Sequence, residues 1–289
     1  MSVQADGRDV AVTSLDRVLY PETGFTKGDL VAYYRAIAPA LVPHLAGRPL
    51  TLGRWPGGVE GAGFAQTECR GAPPWLATQP VQLRDGRVRN FCLVGDVSSL
   101  LWVANLGTIE LHPFVAHGTA PAVPTAVVFD LDPGPPAGLS DCCEVALALH
   151  DVLAESDLQA FAKTSGSAGL HVYVPLNSPH TFEQTKSFAR ATAERLAEEL
   201  PNLVTAQLRK TARNGKVLVD WVQNDPARST VAVYSLRAAR RPGVSTPLAW
   251  DEVERRPPLG FAPAEALERV ERIGDLFAPV LELEQRLPD

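Results

Sequence analysis

Between Thr26 and Leu41 the apolar residues fall at Leu30, Tyr33, Tyr34, Ile37 and Leu41, the recurrence of one face of a helix. Thr26 precedes this run and Asp29 follows it by three residues, so a hydroxyl cap with a reciprocal carboxylate predicts the helix start. Pro39 and Pro43 interrupt the stripe and are expected to break it. A second helix is read from Ser140 through Val145, Leu147, Leu149 and Val152. A third is capped by Thr181 with Gln184 at the reciprocal position, and carries Phe188, Ala191, Leu196 and Leu200. A fourth covers 263–277 with Ala266, Leu267, Val270 and Ile273 inward. Short runs rich in Val and aromatics, bounded by Gly, Pro or Asn, predict strands over 125–132, 169–175, 216–223 and 230–236. Strands separated by helices imply an α+β or mixed α/β fold with its sheet covered by helices, and leave strand direction open.

Composition adds little to that picture and removes some alternatives. The 289 residues suffice for a substantial core, and 45% hydrophobic with 21% charged residues is ordinary for a globular chain. The 25 prolines and 22 glycines are spread among many short loops without repeats or a low-complexity linker, as in a single irregular mixed domain. No run approaches the roughly 20 apolar residues of a membrane span. The first residues lack the basic and apolar regions of a signal peptide, so a cytoplasmic, nucleoid-associated protein with no membrane partner is expected. Cys69, Cys92, Cys142 and Cys143 show no zinc-ligand spacing and are expected to be free thiols, the last two inside a helix.

A net charge of -6 argues against coating nucleic acid by bulk charge. It leaves room for local basic clusters: Arg84, Arg87 and Arg89; Arg209, Lys210, Arg213 and Lys216; and Arg237, Arg240 and Arg241. Each taken singly is more readily a solvated loop.

The chemistry concentrates in three places. Asp130 and Asp132 are two apart on an expected strand, so both project from one face before Pro133-Gly134-Pro135-Pro136. Two carboxylates so placed raise each other's pKa, and a divalent cation relieves that repulsion. Asp220 is the lone acid of the apolar run Val217-Leu218-Val219-Asp220-Trp221-Val222. Three acids on two strands meet the needs of two-metal phosphoryl transfer. The same residues could instead cap loops and pair with a buried Arg. The third place is Thr164-Ser165-Gly166-Ser167-Ala168-Gly169, a small-residue turn whose amides and hydroxyls can approach phosphate oxygens. His171, two residues beyond it, faces away from Leu170 and Val172 and is a triphosphate or metal-site candidate.

Taken in order, Phe129-Asp130-Leu131-Asp132-Pro133-Gly134, Ser165-Gly166-Ser167-Ala168-Gly169-Leu170-His171-Val172, Val219-Asp220-Trp221-Val222-Gln223-Asn224 and Tyr234-Ser235-Leu236-Arg237-Ala238 resemble the polymerase domain of bacterial ligase D. That domain belongs to the archaeo-eukaryotic primase superfamily. The stretches 13–20, Thr26-Lys27-Gly28-Asp29 and Tyr33-Tyr34 also match, so the resemblance covers nearly the whole chain.

The resemblance implies a primase-polymerase fold: an RRM-like catalytic sheet flanked by helices, with a second small sheet. Residues 1–289 would form one such domain, about 1–120 binding DNA and 5′-phosphate and about 121–289 catalytic. It implies addition of NTPs or dNTPs to 3′ ends at DNA gaps and double-strand breaks, with two Mn2+ (or Mg2+) ions held by Asp130, Asp132 and Asp220. Ser165, Ser167, His171 and Arg237 would bind the triphosphate, and His112 would help position it. Arg17 and Lys27 would grip a downstream 5′-phosphate, Phe64 would stack on a template base, and Arg213 would contact DNA. Partners implied are a Ku-like end-binding protein and a DNA ligase.

Three features depart from the family pattern. Ala168 stands where the family usually has Lys, and Ala65 replaces the second Phe of a stacking pair. The length accommodates no ligase or nuclease domain, so a stand-alone polymerase or an isolated domain is expected. Two other readings compete. A phosphatase of the haloacid-dehalogenase type also uses Asp-x-Asp but needs a later acidic pair. A DNA-end bridging module without catalysis would have no need to keep all three carboxylates.

Overall fold

The Thr26 hydroxyl accepts the Asp29 amide while the Asp29 carboxylate accepts from the Thr26 amide, and this capping box starts a helix at Lys27–Leu45. The helix runs through Pro39 and Pro43, contrary to the break expected from sequence. Both prolines are exposed and four residues apart, so the missing amides and bulky rings fall on the solvent side, while Leu30, Tyr34, Ile37, Leu41 and Leu45 stay buried opposite. The computed structural model describes every residue except Arg84, Leu259 and Asp289. The expected basic cluster at 84–89 therefore lies partly outside the described residues; within it Arg87 pairs with Asp85 in a hairpin turn.

The chain forms two compact units. The first comprises Met1–Thr119, Ser229–Ser245 and Ala262–Gly274. Its five-stranded sheet runs in the order Phe64–Gln66, Pro49–Arg54, Val88–Leu93, Thr78–Gln82, with Thr108–Pro113 also paired to Pro49–Arg54. Helix Val97–Asn105, which the apolar spacing did not reveal, packs against Lys27–Leu45. Within this sheet region Cys69 and Cys92 form a disulfide with Cα atoms 5.0 Å apart, which corrects the expectation of four free thiols. Their separation of 23 residues carries no motif; the Cys69 amide donates to Asn90 O at 2.6 Å, which lays its loop along the strand of Cys92. The expected strand over 230–236 is also corrected. Tyr234 has φ of 63°, which ends any extended run, and only Leu236–Arg237 pairs, with Gly243–Val244. The expected fourth helix stops at Ile273 because Gly274 turns left-handed at φ 74°.

The second unit comprises Ala120–Arg228, Thr246–Phe261 and Asp275–Asp289. Its six-stranded sheet has the order Val204–Thr205, Val217–Asp220, Ala126–Pro133, Leu170–Pro175, Phe161–Thr164, Pro247–Leu248. All neighbours are antiparallel except the first pair. Helices Leu139–Ala154, which contains free, buried Cys142 and Cys143, and Phe182–Glu199 share one core with the sheet. No helix among the described residues is long and apolar enough to cross a membrane.

Candidate active site

Alternation decides which side chains meet. Val127, Phe129 and Leu131 enter the core shared with the two helices, so Asp130 and Asp132 take the opposite face of their strand. On the flanking strands Val217 and Val219, Leu170 and Val172, and Ala162 enter the same core. Asp220, His171 and Lys163 are thereby turned to the face of Asp130. Register completes the arrangement: Lys163 pairs with His171, His171 with Asp130, and Asp130 with Asp220. Four polar side chains thus stand in one row across four strands.

The contacts along that row are short. Lys163 Nζ lies 3.1 Å from His171 Nδ1, and His171 Nε2 lies 3.2 Å from Asp130 Oδ1. The Gln223 side-chain amide is 3.4 Å from both Asp130 Oδ2 and Asp220 Oδ2. The expected strand over 216–223 stops at Asp220, whose Oδ1 accepts the Val222 amide at 2.9 Å and starts the turn Val222–Asn224. That turn brings Gln223 back to the carboxylates. It also places buried Asn224 where its side chain donates to Val128 O and accepts from Val128 N, both at 2.8 Å.

Burial pushes the Asp132 carboxyl up to about 6, and the charges of Asp130 and Asp220 add to this while Arg213 opposes it. Arg213 Nη1 lies 3.9 Å from Asp132 Oδ2. Asp220 is also raised, by burial and then by Asp130, against the Val222 amide, Arg213 and Arg228. Carboxylates that burial and one another's charge push toward protonation are a donor set suited to a hard divalent cation. Among the described residues no three His, Cys, Asp or Glu side chains stand close enough to enclose an ion as they are. The fit of a metal rests on donor type, shared face and this mutual repulsion.

Two glycines let the surrounding loops close. A Cβ on Gly134 would meet Arg213 O at 1.9 Å, so the loop carrying Arg213 can lie against the end of the Asp132 strand only if that position is bare. A Cβ on Gly169 would meet Leu131 O at 1.9 Å. Ser165 Oγ accepts the Gly169 amide at 3.1 Å and the Ser167 amide at 3.3 Å, closing the Gly/Ser turn beside His171. Ser167 and Ala168 are exposed on it.

The remaining expected site residues belong to the first unit. Glu110 holds two of them: His112 Nε2 is 2.9 Å from its Oε2, and Arg237 Nε lies 3.5 Å from its Oε1 without an aligned hydrogen bond. Burial pushes Glu110 up, but His112, Arg237 and the Ala238 amide outweigh it and hold the carboxyl below its usual range. Tyr20 donates to Arg237 O at 2.8 Å, fixing the backbone there.

Lys27, almost fully buried, donates to Thr13 O at 2.6 Å and Asn105 Oδ1 at 2.7 Å, and its amide donates to Arg17 O. Burial lowers its pKa, and the charges of Arg17 and Arg54 lower it further. Arg54 donates to Leu106 O and Gln66 Oε1 and lies 5.2 Å from the Phe64 ring centroid, joining the aromatic to the basic cluster. Phe64 is 48% exposed, as a stacking surface must be.

Sequence reasoning missed Lys163, Gln223, Glu110 and Arg54. Lys163 could have been found by the argument applied to Asp220, since it is a single charge in a short, otherwise uncharged strand. Gln223 could not, because it was assigned to the strand rather than to the turn that follows it.

The sheet thus brings three carboxylates and a histidine to one face, backed by helices, the donor types that two-metal phosphoryl transfer uses. A family model for the LigD primase-polymerase domain matches residues 26–277, and the chain belongs to that family. It is 40% identical to the multifunctional non-homologous end joining protein LigD of Mycolicibacterium smegmatis, over 94% of this chain and 36% of that protein. It is 28% identical to the bifunctional LigD of Bacillus subtilis, over 92% of this chain and 43% of the relative. The chain thus spans less than half the length of either relative. The polymerase domain of Mycobacterium tuberculosis ligase D in complex with DNA superposes with a TM-score of 0.90 at 36% identity, covering 96% of this chain and 99% of that one.

Proposed function

We propose that this chain is a template-directed nucleotidyltransferase that adds NTPs or dNTPs to 3′ ends at DNA gaps and double-strand breaks, within non-homologous end joining. The observation that carries the reading is the row His171–Asp130–Asp220, with Asp132 on the same face. Two divalent ions, Mn2+ or Mg2+, held by Asp130, Asp132 and Asp220, would supply activation of the 3′-hydroxyl and neutralisation of the leaving pyrophosphate. His171 donates to a phosphate oxygen of the nucleotide, and the turn at Ser165 and Ser167 offers amide and hydroxyl donors to the same group. Within the first unit, His112 and Arg237, both beside Glu110, are assigned to nucleotide binding. Arg213 contacts DNA close to Asp132.

In the first unit, Arg17, Lys27 and Arg54 repel one another and so favour an anion. A terminal 5′-phosphate, more charged than an internal one, suits them. Phe64 stacks on a template base. A Ku-like end-binding protein and a DNA ligase are the partners this role needs.

The test is gap filling on DNA with a recessed 3′ end and a downstream 5′-phosphate, with manganese and labelled NTPs. Extension by the wild-type chain that disappears in Asp130→Ala is expected. No extension by wild type, or equal extension by the variant, would overturn the proposal.

A further inference from the structure

Lys163 is wholly buried on the strand Phe161–Thr164, and nothing in the nucleotidyl-transfer chemistry above uses it. An ammonium so buried costs several kcal/mol unless its donors are satisfied. Its position is specific. Lys163 is the cross-strand neighbour of His171, and its Nζ is 3.1 Å from Nδ1, the ring nitrogen turned away from the carboxylates. The other nitrogen, Nε2, is the one facing Asp130 Oδ1. The aromatic ring of Tyr173, on the same face, lies 5.8 Å from the ammonium and stacks beside the imidazole.

An ammonium has three donors and no acceptor, so a hydrogen bond from Lys163 makes Nδ1 the acceptor of the imidazole. The neutral ring then carries its proton on Nε2, the side of the carboxylate row. A second partner on one nitrogen commonly sets the tautomer of a functional histidine in this way. We propose that Lys163 is a positioning residue: it holds His171 as the Nε2–H tautomer, so that the ring presents a donor, not a lone pair, to the nucleotide's phosphate oxygens. The proposal rests on the assignment of His171 to the nucleotide.

The opposite tautomer would aim a lone pair at Asp130 and at an incoming phosphate, which are both anionic acceptors. Lys163 does not stand in for the cation absent at Ala168, because Ala168 is exposed on the turn and Lys163 has no exposed surface.

The experiment has two arms, both on the full chain. In the first, nitrogen and carbon resonances of isotope-labelled histidine are recorded without divalent ions, with His171 assigned by its absence in His171→Ala. The Nε2–H tautomer is expected in wild type and in Lys163→Arg, and loss of that single tautomer in Lys163→Met. An Nδ1–H ring in wild type overturns the proposal, whatever the activity of any variant.

In the second arm, Lys163→Met is expected to raise the nucleotide KM on the order of tenfold, as for one lost hydrogen bond to a charged group, with a smaller change in kcat. Lys163→Arg restores it, and Lys163→Met adds nothing in a His171→Ala background. A wild-type KM in Lys163→Met, while His171→Ala raises KM, overturns the positioning role and leaves the nucleotide assignment standing. An unchanged KM in His171→Ala itself overturns the nucleotide assignment, and the resonance arm still decides the Lys163–His171 link. Should Lys163→Met fail to fold, the wild-type and Lys163→Arg spectra still decide it.

Discussion

Asp130 and Asp220 face each other directly across two antiparallel strands, and the Gln223 amide reaches one oxygen of each at 3.4 Å. A neutral donor shared by two carboxylates offsets part of their repulsion but cannot replace a divalent charge. Asp130→Asn or Asp220→Asn should therefore lower nucleotide addition by at least about a hundredfold, equivalent to roughly 3 kcal/mol of transition-state stabilisation. Gel-shift retention of gapped DNA should be unchanged. Single-turnover extension with manganese checks this, and a loss of less than tenfold at both positions would rule out their role.

Asp132 makes stability depend on pH in a particular direction. Its folded value near 6 lies above the ordinary 3.8, so the folded, metal-free protein holds a proton that the unfolded chain releases between those values. The contribution of Asp132 to stability should therefore fall as pH rises from about 4 to about 6, and level off above. Asp220, raised in the same direction, adds to the slope. Urea melts across this range should show the decline flattened in Asp132→Asn and also flattened by added manganese, which binds only the deprotonated carboxylates. Parallel pH profiles for wild type and Asp132→Asn over that window would contradict the assignment.

Lys27 sits in a cluster of cations with Arg17 and Arg54, so its contribution should depend on the terminal phosphate. Lys27→Met is expected to reduce the advantage of a 5′-phosphorylated gap by about tenfold, within the range of a charge-assisted hydrogen bond. Extension of a simple primer-template should change little. Equal losses on phosphorylated and unphosphorylated gaps would assign Lys27 to packing through Thr13 and Asn105 instead.

Asn224 satisfies both backbone groups of Val128 in the strand that carries the carboxylates. Asn224→Ala leaves a buried amide and a buried carbonyl unpaired, at a cost of about 2–4 kcal/mol. Chemical denaturation should register that loss. A change below about 0.5 kcal/mol, the scale of an ordinary surface substitution, would mean that water replaces the side chain at no penalty.

Ala168 lies exposed on the turn beside His171. Ala168→Lys should lower the nucleotide KM by a few-fold, the worth of about 1 kcal/mol from one exposed charge pair. The gain should shrink at high salt. A KM that does not respond to the added cation would show that the turn lies away from the phosphates.

The sequence by itself determined the helix starts at Thr26 and Thr181, where capping is a local exchange of hydrogen bonds. It also determined the face shared by Asp130 and Asp132, because the period of a strand is local too. The order of motifs was enough to identify the family. What it could not settle depended on partners distant in the chain. Pro39 and Pro43 were tolerated in their helix because both happen to face solvent, which spacing alone does not reveal. Cys69 and Cys92 met because their sheet region folds them together, and the run around Val231 lost its strand because Tyr234 takes a left-handed backbone. Most consequentially, the register of four antiparallel strands set Lys163, His171, Asp130 and Asp220 side by side. Local chemistry names those residues one at a time, but only cross-strand pairing, which joins residues 8, 41 and 90 apart in sequence, makes them a row. Asp130 and Asp132 are thus legible as a pair of acids in the sequence, and become the centre of a site through the tertiary fold.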